Sequence, residues 1–168
     1  MTQGLLVVDA GPLIALAISN LLAPVFSVFG QLIVPQAVLN ECLNDEYAPG
    51  VNEIKLALQN EFFQIIPKKD IEPLAIAYAM GLGSGEIAVL AYAAKHSCTV
   101  VIDDRKARRM AKQMNIATLG TGTLIVGLKL KGRIDSIRPC LQAWEQHGYF
   151  ITDKVRDALL FQAGELQE

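Results

Sequence analysis

The chain has 168 residues, enough for one domain with a real core, and a formal net charge of −2. That balance excludes a globally basic nucleic-acid binder, though not a local basic patch. Hydrophobic residues make up 52% and mean hydropathy is +0.33, which suggests either a sheet buried on both faces or an apolar patch used for oligomerisation.

Cys42, Cys98 and Cys140 form no CxxC and no Cys/His cluster, so neither a zinc site nor a disulfide framework is indicated, and reduced thiols in a cytosolic protein are the default. His96 and His147 lie far apart and read as surface or packing residues. No charged residue occurs between Ala10 and Asn40, but Gly11, Pro12, Asn20, Pro24, Gly30 and Pro35 cut this stretch into pieces too short to span a bilayer. The apolar start has no Lys or Arg before it and makes a poor signal peptide. The expectation is a soluble, cytoplasmic protein with no membrane partner.

Taken in chain order, Leu5–Val8 reads as a buried strand, and Asp9 stands where it hands over to a helix through Gly11 and Pro12. That helix should run from Leu13 to Leu22 and end near Pro24. Gln31–Val34 is a second strand, and Pro35 opens a helix to about Asn44. A turn at Tyr47–Gly50 precedes an amphipathic helix over Val51–Gln59. A third strand at Phe62–Ile66 is closed by Pro67, and Asp70 caps a helix to Met80. Gly81–Gly85 is a loop, with Ser84 as N-cap of a helix from Glu86 to His96. Thr99–Ile102 is a strand ending in Asp103-Asp104, and a helix over Arg105–Met114 follows. A short strand at Ile116–Leu119 leads to a loop at Gly120–Thr123 and an apolar helix to about Lys131. The tail carries a helix at Ser136–Gln146, a possible strand at Tyr149–Ile151 and a helix at Thr152–Gln162. This alternation predicts a mainly parallel sheet with helices on both faces. The expected core covers about 4–123 of a single domain, with a helical extension over about 124–168.

A few acids sit in apolar surroundings. Asp9 and the Asp103-Asp104 pair both follow buried strands, and the carboxyl edge of a parallel sheet is where α/β folds place ligands. Asp9 alone would be read as a helix cap. Glu41 shares a helix face with Ala37 and Val38, so its carboxylate either needs a cation or a partner, or lies at the rim and points outward. Glu86 begins an otherwise apolar helix, where the dipole favours an acid, behind glycines that let the backbone approach a site closely.

Several carboxylates brought together cannot all stay ionised without protonation or a cation. Oxygen-only ligands suit a hard ion such as Mg²⁺ or Mn²⁺, which would activate water and stabilise the leaving oxygen in phosphodiester hydrolysis. Arg105, Arg108, Arg109 and Lys112 form one helical stripe next to the last acids, placed to hold a nucleic-acid backbone or simply to face solvent. Thr121 and Thr123 could bond a water or a ligand, or serve as turn residues.

Asp9 in "VVDAGPLIAL", Glu41 in "VPQAVLNEC", Glu86 in "GSGEIAVLAYA" and the pair in "VIDDRKARRMA" together resemble the PIN-domain family over roughly Leu5 to Thr123. "GTGTLIVGLKLKG" and the helical tail look like a prokaryotic branch related to VapC-type toxins. The resemblance implies a Rossmann-like three-layer α/β/α sandwich and Mg²⁺- or Mn²⁺-dependent cleavage of single-stranded RNA. It also implies a homodimer and, for the toxin of a toxin–antitoxin pair, a small antitoxin partner. Asp9, Glu41 and Glu86 take the first three acidic positions. Ile102 stands where relatives commonly carry Thr two residues before the fourth acid, which makes Asp104 the register match and Asp103 its alternate. The competing expectation is a PIN-fold binding or regulatory module with weak or lost cleavage. Reading Gly81–Gly85 as a nucleotide loop is disfavoured, because the expected element before it is a helix rather than a strand.

Overall fold

The computed structural model describes residues 4–72, 74 and 80–166. The organising element is β1 (Leu6–Val8), three buried apolar residues with strands on both sides. Its partners are β2 (Leu32–Pro35) and β4 (Thr99–Val101), while β3 (Phe63–Ile66) and β5 (Thr118–Leu119) form the edges. The order is β3-β2-β1-β4-β5, with every pair parallel. Parallel strands need crossover segments, and helices on both faces bury β1 and β2 completely while the edge strands stay partly exposed. This accounts for much of the high apolar content, though Leu130, Phe150 and Phe161 remain exposed.

The helices are α1 (Ala10–Ile18), α2 (Leu22–Phe29), α3 (Gln36–Leu43), α4 (Val51–Gln59), α5 (Ser84–His96), α6 (Arg105–Gln113), α7 (Thr121–Leu130), α8 (Arg138–Gln146) and α9 (Asp153–Gln162). With the sheet they make the expected three-layer α/β architecture. Helix α5, apolar nearly all round, lies against β1, β2 and β4. The strand order reverses beside β1, and Val8 pairs with Val101, so the residues after β1 and β4 leave from neighbouring points on one edge. The Asp9 amide extends this ladder by donating to the Val101 carbonyl at 3.1 Å. Such a switch point opens the crevice in which α/β folds bind ligands.

Some expected boundaries differ. The first helix is two, bent by 113° at a break where Asn20 takes a left-handed φ of 57°. Pro24 does not end a helix but sits in the first turn of α2, where its missing N–H leaves no bond unmade. Among the described residues no single helix is long and apolar enough to cross a membrane. Ser84 is the first residue of α5 rather than its cap. Gly83 takes the cap position, and its amide donates to Glu86 Oε2 at 2.8 Å. The expected loop through Thr123 is already helix from Thr121. Tyr149–Ile151 is not a strand; it connects α8 to α9. The helix expected from Asp70 to Met80 falls largely outside the described residues.

The C-terminal helices are anchored by a side chain. Trp144, 1% exposed, donates its indole N–H to the Ala15 carbonyl at 2.9 Å and to Ser19 Oγ at 2.8 Å. Glu165 ties the far end. It accepts from Ser136 Oγ at 2.6 Å and from the Ile137 amide at 2.7 Å, and pairs with Lys129 at 2.9 Å. Burial alone would raise this carboxyl, but those donors outweigh it and hold it down at about 2.

Candidate active site

Asp9 ends β1 at the N-cap position of α1, yet its side chain makes no cap hydrogen bond. The helix-cap explanation for this residue therefore fails. The residue is 8% exposed, and its carboxyl is pushed up to about 7. Burial is the main cause; a backbone hydrogen bond at Ala10 opposes it, and the charges of Glu86, Glu41 and Asp103 add to it. Those three acids are the ones the fold gathers around Asp9.

Glycine makes the gathering possible. A Cβ on Gly85 would lie 3.0 Å from Glu41 Oε2, 3.3 Å from Val38 Cγ2 and 3.7 Å from Asp9 Oδ1. The carboxylates of α3 and β1 thus meet over the one residue in the first turn of α5 that lacks a side chain. Glu41 is exposed, so it stands at the rim of its helix face, yet it still turns an oxygen inward. Glu86 is half-buried and shares its Oε2 with the Gly83 amide.

The adjacent aspartates have separate fates. Asp104 is exposed, and its Oδ1 accepts from the Ala107 amide at 2.9 Å, capping α6. Asp103 is half-buried and held by three donors: the Thr121 amide at 2.9 Å, Thr121 Oγ1 at 2.6 Å and the Tyr149 hydroxyl. The register match favours Asp104; in the structure that carboxylate caps α6, and Asp103 is the member of the pair whose charge acts on Asp9. Thr123, two residues on and so on the opposite side of α7, is exposed and takes no part in this network, whereas Thr121 is 1% exposed. Tyr149 was not anticipated. It packs edge-on against Trp144 at 5.4 Å, and burial, then the Asp103 charge, keeps its hydroxyl protonated. Its aromatic neighbourhood in sequence suggested a strand, and only the docking of the tail discloses its role.

Arg105, Arg108, Arg109 and Lys112 lie exposed along α6 and line a shallow recess of about 500 Å³. Among the described residues none of the four is engaged in an ion pair. One end of the stripe adjoins the acids: a Cβ on Gly120 would lie 3.5 Å from Asp103 Oδ1 and 3.7 Å from Arg108 Nη1. A larger cavity, about 740 Å³, opens on the other side between α3 and α5 and shares Glu41 with the acidic centre.

Among the described residues, no three His, Cys, Asp or Glu side chains are already drawn together tightly enough to hold a metal ion. The donor set nevertheless fits a hard divalent cation. It is all oxygen, its negative charge is concentrated enough to oppose ionisation of Asp9, and a glycine leaves the space where Asp9 and Glu41 meet.

No curated protein and no solved structure matches the chain. A family model described as a PIN domain matches residues 5–165. PIN domains are generally nucleases and usually employ divalent metal ions. With all but its ends covered by that model, and with a parallel sheet converging acids at its switch point, the chain belongs to the PIN-domain family.

Proposed function

We propose that this protein is a divalent-metal-dependent endoribonuclease that hydrolyses single-stranded RNA. One observation carries the proposal: a buried carboxyl, Asp9, held at about 7 by burial with Glu86, Glu41 and Asp103 facing it. A protein has little reason to keep such a cluster at a sheet edge unless a cation relieves it. Asp9, Glu41, Glu86 and Asp103 are the residues that would hold Mg²⁺ or Mn²⁺, and the bound ion would supply an activated water and charge neutralisation at the scissile phosphate.

The chain's own groups do the rest. Thr121 and Tyr149 fix the Asp103 carboxylate by donating to both its oxygens. Arg108, beside Asp103, is placed to meet a phosphate entering the centre, and Arg105, Arg109 and Lys112 continue the track along α6. Asp104 supports that track by capping the helix that carries it.

The test is cleavage of unstructured RNA in Mg²⁺ or Mn²⁺. Asp9→Asn should abolish it, and unchanged cleavage in that variant would sink the proposal. RNA binding without cleavage in the unsubstituted chain would favour a regulatory module. The likeness of Gly120–Gly132 and the tail to VapC-type toxins supports a further proposal, that the chain is a toxin-like homodimer restrained by a small antitoxin. Induced expression should then arrest growth, and Asp9→Asn should not.

A further inference from the structure

We infer that the cavity between α3 and α5 is a nucleobase pocket that gives the enzyme a base preference; the inference builds on the ribonuclease proposal. The cavity, about 740 Å³, falls in the range of ligand pockets. Its polar wall is an amide ladder. Gln36, Asn40 and the C-cap residue Asn44 recur every four residues along α3 and its end, and all line the space. Ile71 and Ile87 supply apolar surface for the face of a flat ring.

Glu41 belongs both to this wall and to the acidic centre, so the cavity opens next to the acids. For a nucleic acid whose phosphate sits at the acids, the neighbouring group is a base. The amides argue for the same occupant. They present paired donors and acceptors rather than charge. Lys68 is the one cation among the described lining residues, balanced by Glu41 on the same wall, against four cations, unpaired among the described residues, on the stripe beyond Asp103.

Gln36 Nε2 donates to Asn40 Oδ1 at 2.7 Å. That bond leaves the Gln36 carbonyl as an acceptor and the Asn40 amide protons as donors; flipping both amides merely exchanges the two roles. An acceptor beside a donor complements the base edges on which an amino or imino proton neighbours a ring nitrogen or carbonyl. Single-stranded bases expose those edges, and Asn and Gln read them bidentately.

The test uses the Asp9→Asn chain in Mg²⁺, with fluorescence anisotropy on RNA hexamers that differ in base at one position. At least a five-fold spread in affinity among the four bases is expected, in line with one good bidentate contact. Gln36→Ala and Asn40→Ala, both surface substitutions, should each shrink that spread to under two-fold, whereas Arg108→Ala should weaken all four hexamers equally. If the ladder only braces α3, the two alanine variants will lower the melting temperature slightly and leave the spread intact, which would overturn the inference. Equal binding of all four hexamers at the start would overturn it too. Cleavage by the unsubstituted chain is measured separately. A base preference without cleavage would defeat the ribonuclease proposal while sustaining the pocket, and cleavage without preference would do the reverse.

Discussion

Asp9 links pH, stability and function. Its carboxyl stays protonated up to about 7 in the folded chain but ionises near the ordinary value of 3.8 when unfolded. Between those values the folded state binds more protons, so raising the pH from 4 to 7 should lower the stability of the metal-free protein, by at most about 4 kcal/mol. Urea titrations across that range would show this as a falling midpoint. Asp9→Asn should flatten the profile, and should be more stable than the native chain at pH 8. Gly85→Ala acts on the same centre from the other side. The new methyl would press on Glu41 Oε2 from 3.0 Å, so Mn²⁺ affinity, followed by metal-dependent thermal shift, should fall about ten-fold with α5 intact. Neighbouring strand ends and a glycine-rich approach made Asp9 and Glu86 legible in the sequence. Which of Asp103 and Asp104 caps α6 was not, because a one-residue difference there is decided by which carboxylate the α6 amides capture. One signal was available: Asp104 directly precedes the helix and faces the open amide of Ala107 three residues on.

Among the elements, α7 and α9 show how tightly the tail is seated. A Cβ on Gly122 would lie 2.7 Å from Leu159 Cδ1 and 2.8 Å from Cδ2. Gly122→Ala should therefore cost about 1–3 kcal/mol by forcing Leu159 out of place, although alanine suits a helix better, and thermal denaturation will measure it. Glu165 behaves oppositely to Asp9. Its folded carboxyl lies near 2, below the unfolded value of 4.5, so its contribution is present above 4.5 and is lost as the pH falls toward 2. Periodicity revealed most helices to within a residue or two, and Val51–Gln59 at both ends. It misled at Pro24, which lies in the first turn of α2, and at Tyr149–Ile151, where an apolar triplet serves docking rather than a ladder. Local pattern reports which residues are buried, not what they are buried against.

At the scale of the molecule, a chain of net charge −2 divides its charge so that acids collect at the switch point and cations line α6. If the stripe carries RNA, binding should weaken steeply with salt, and neutralising one of its cations should reduce the logarithmic slope by about 0.7. Fold class followed from alternating strands and helices, but strand order did not, since β1 and β4 are neighbours despite ninety residues of intervening sequence. The pairing of Val8 with Val101 is what turns two distant aspartates into one site.

The contact between Tyr149 and Asp103 has a consequence for the order in which the protein becomes competent. A ribosome delivers Asp9, Glu41, Glu86 and Asp103 before the indole that seats the tail on α1 and the hydroxyl that steadies Asp103. A nascent chain stalled before Trp144 carries every acid but lacks the brace for one of them. The brace on Asp103 is thus completed only once the segment after α8 has been made and docked beside Trp144.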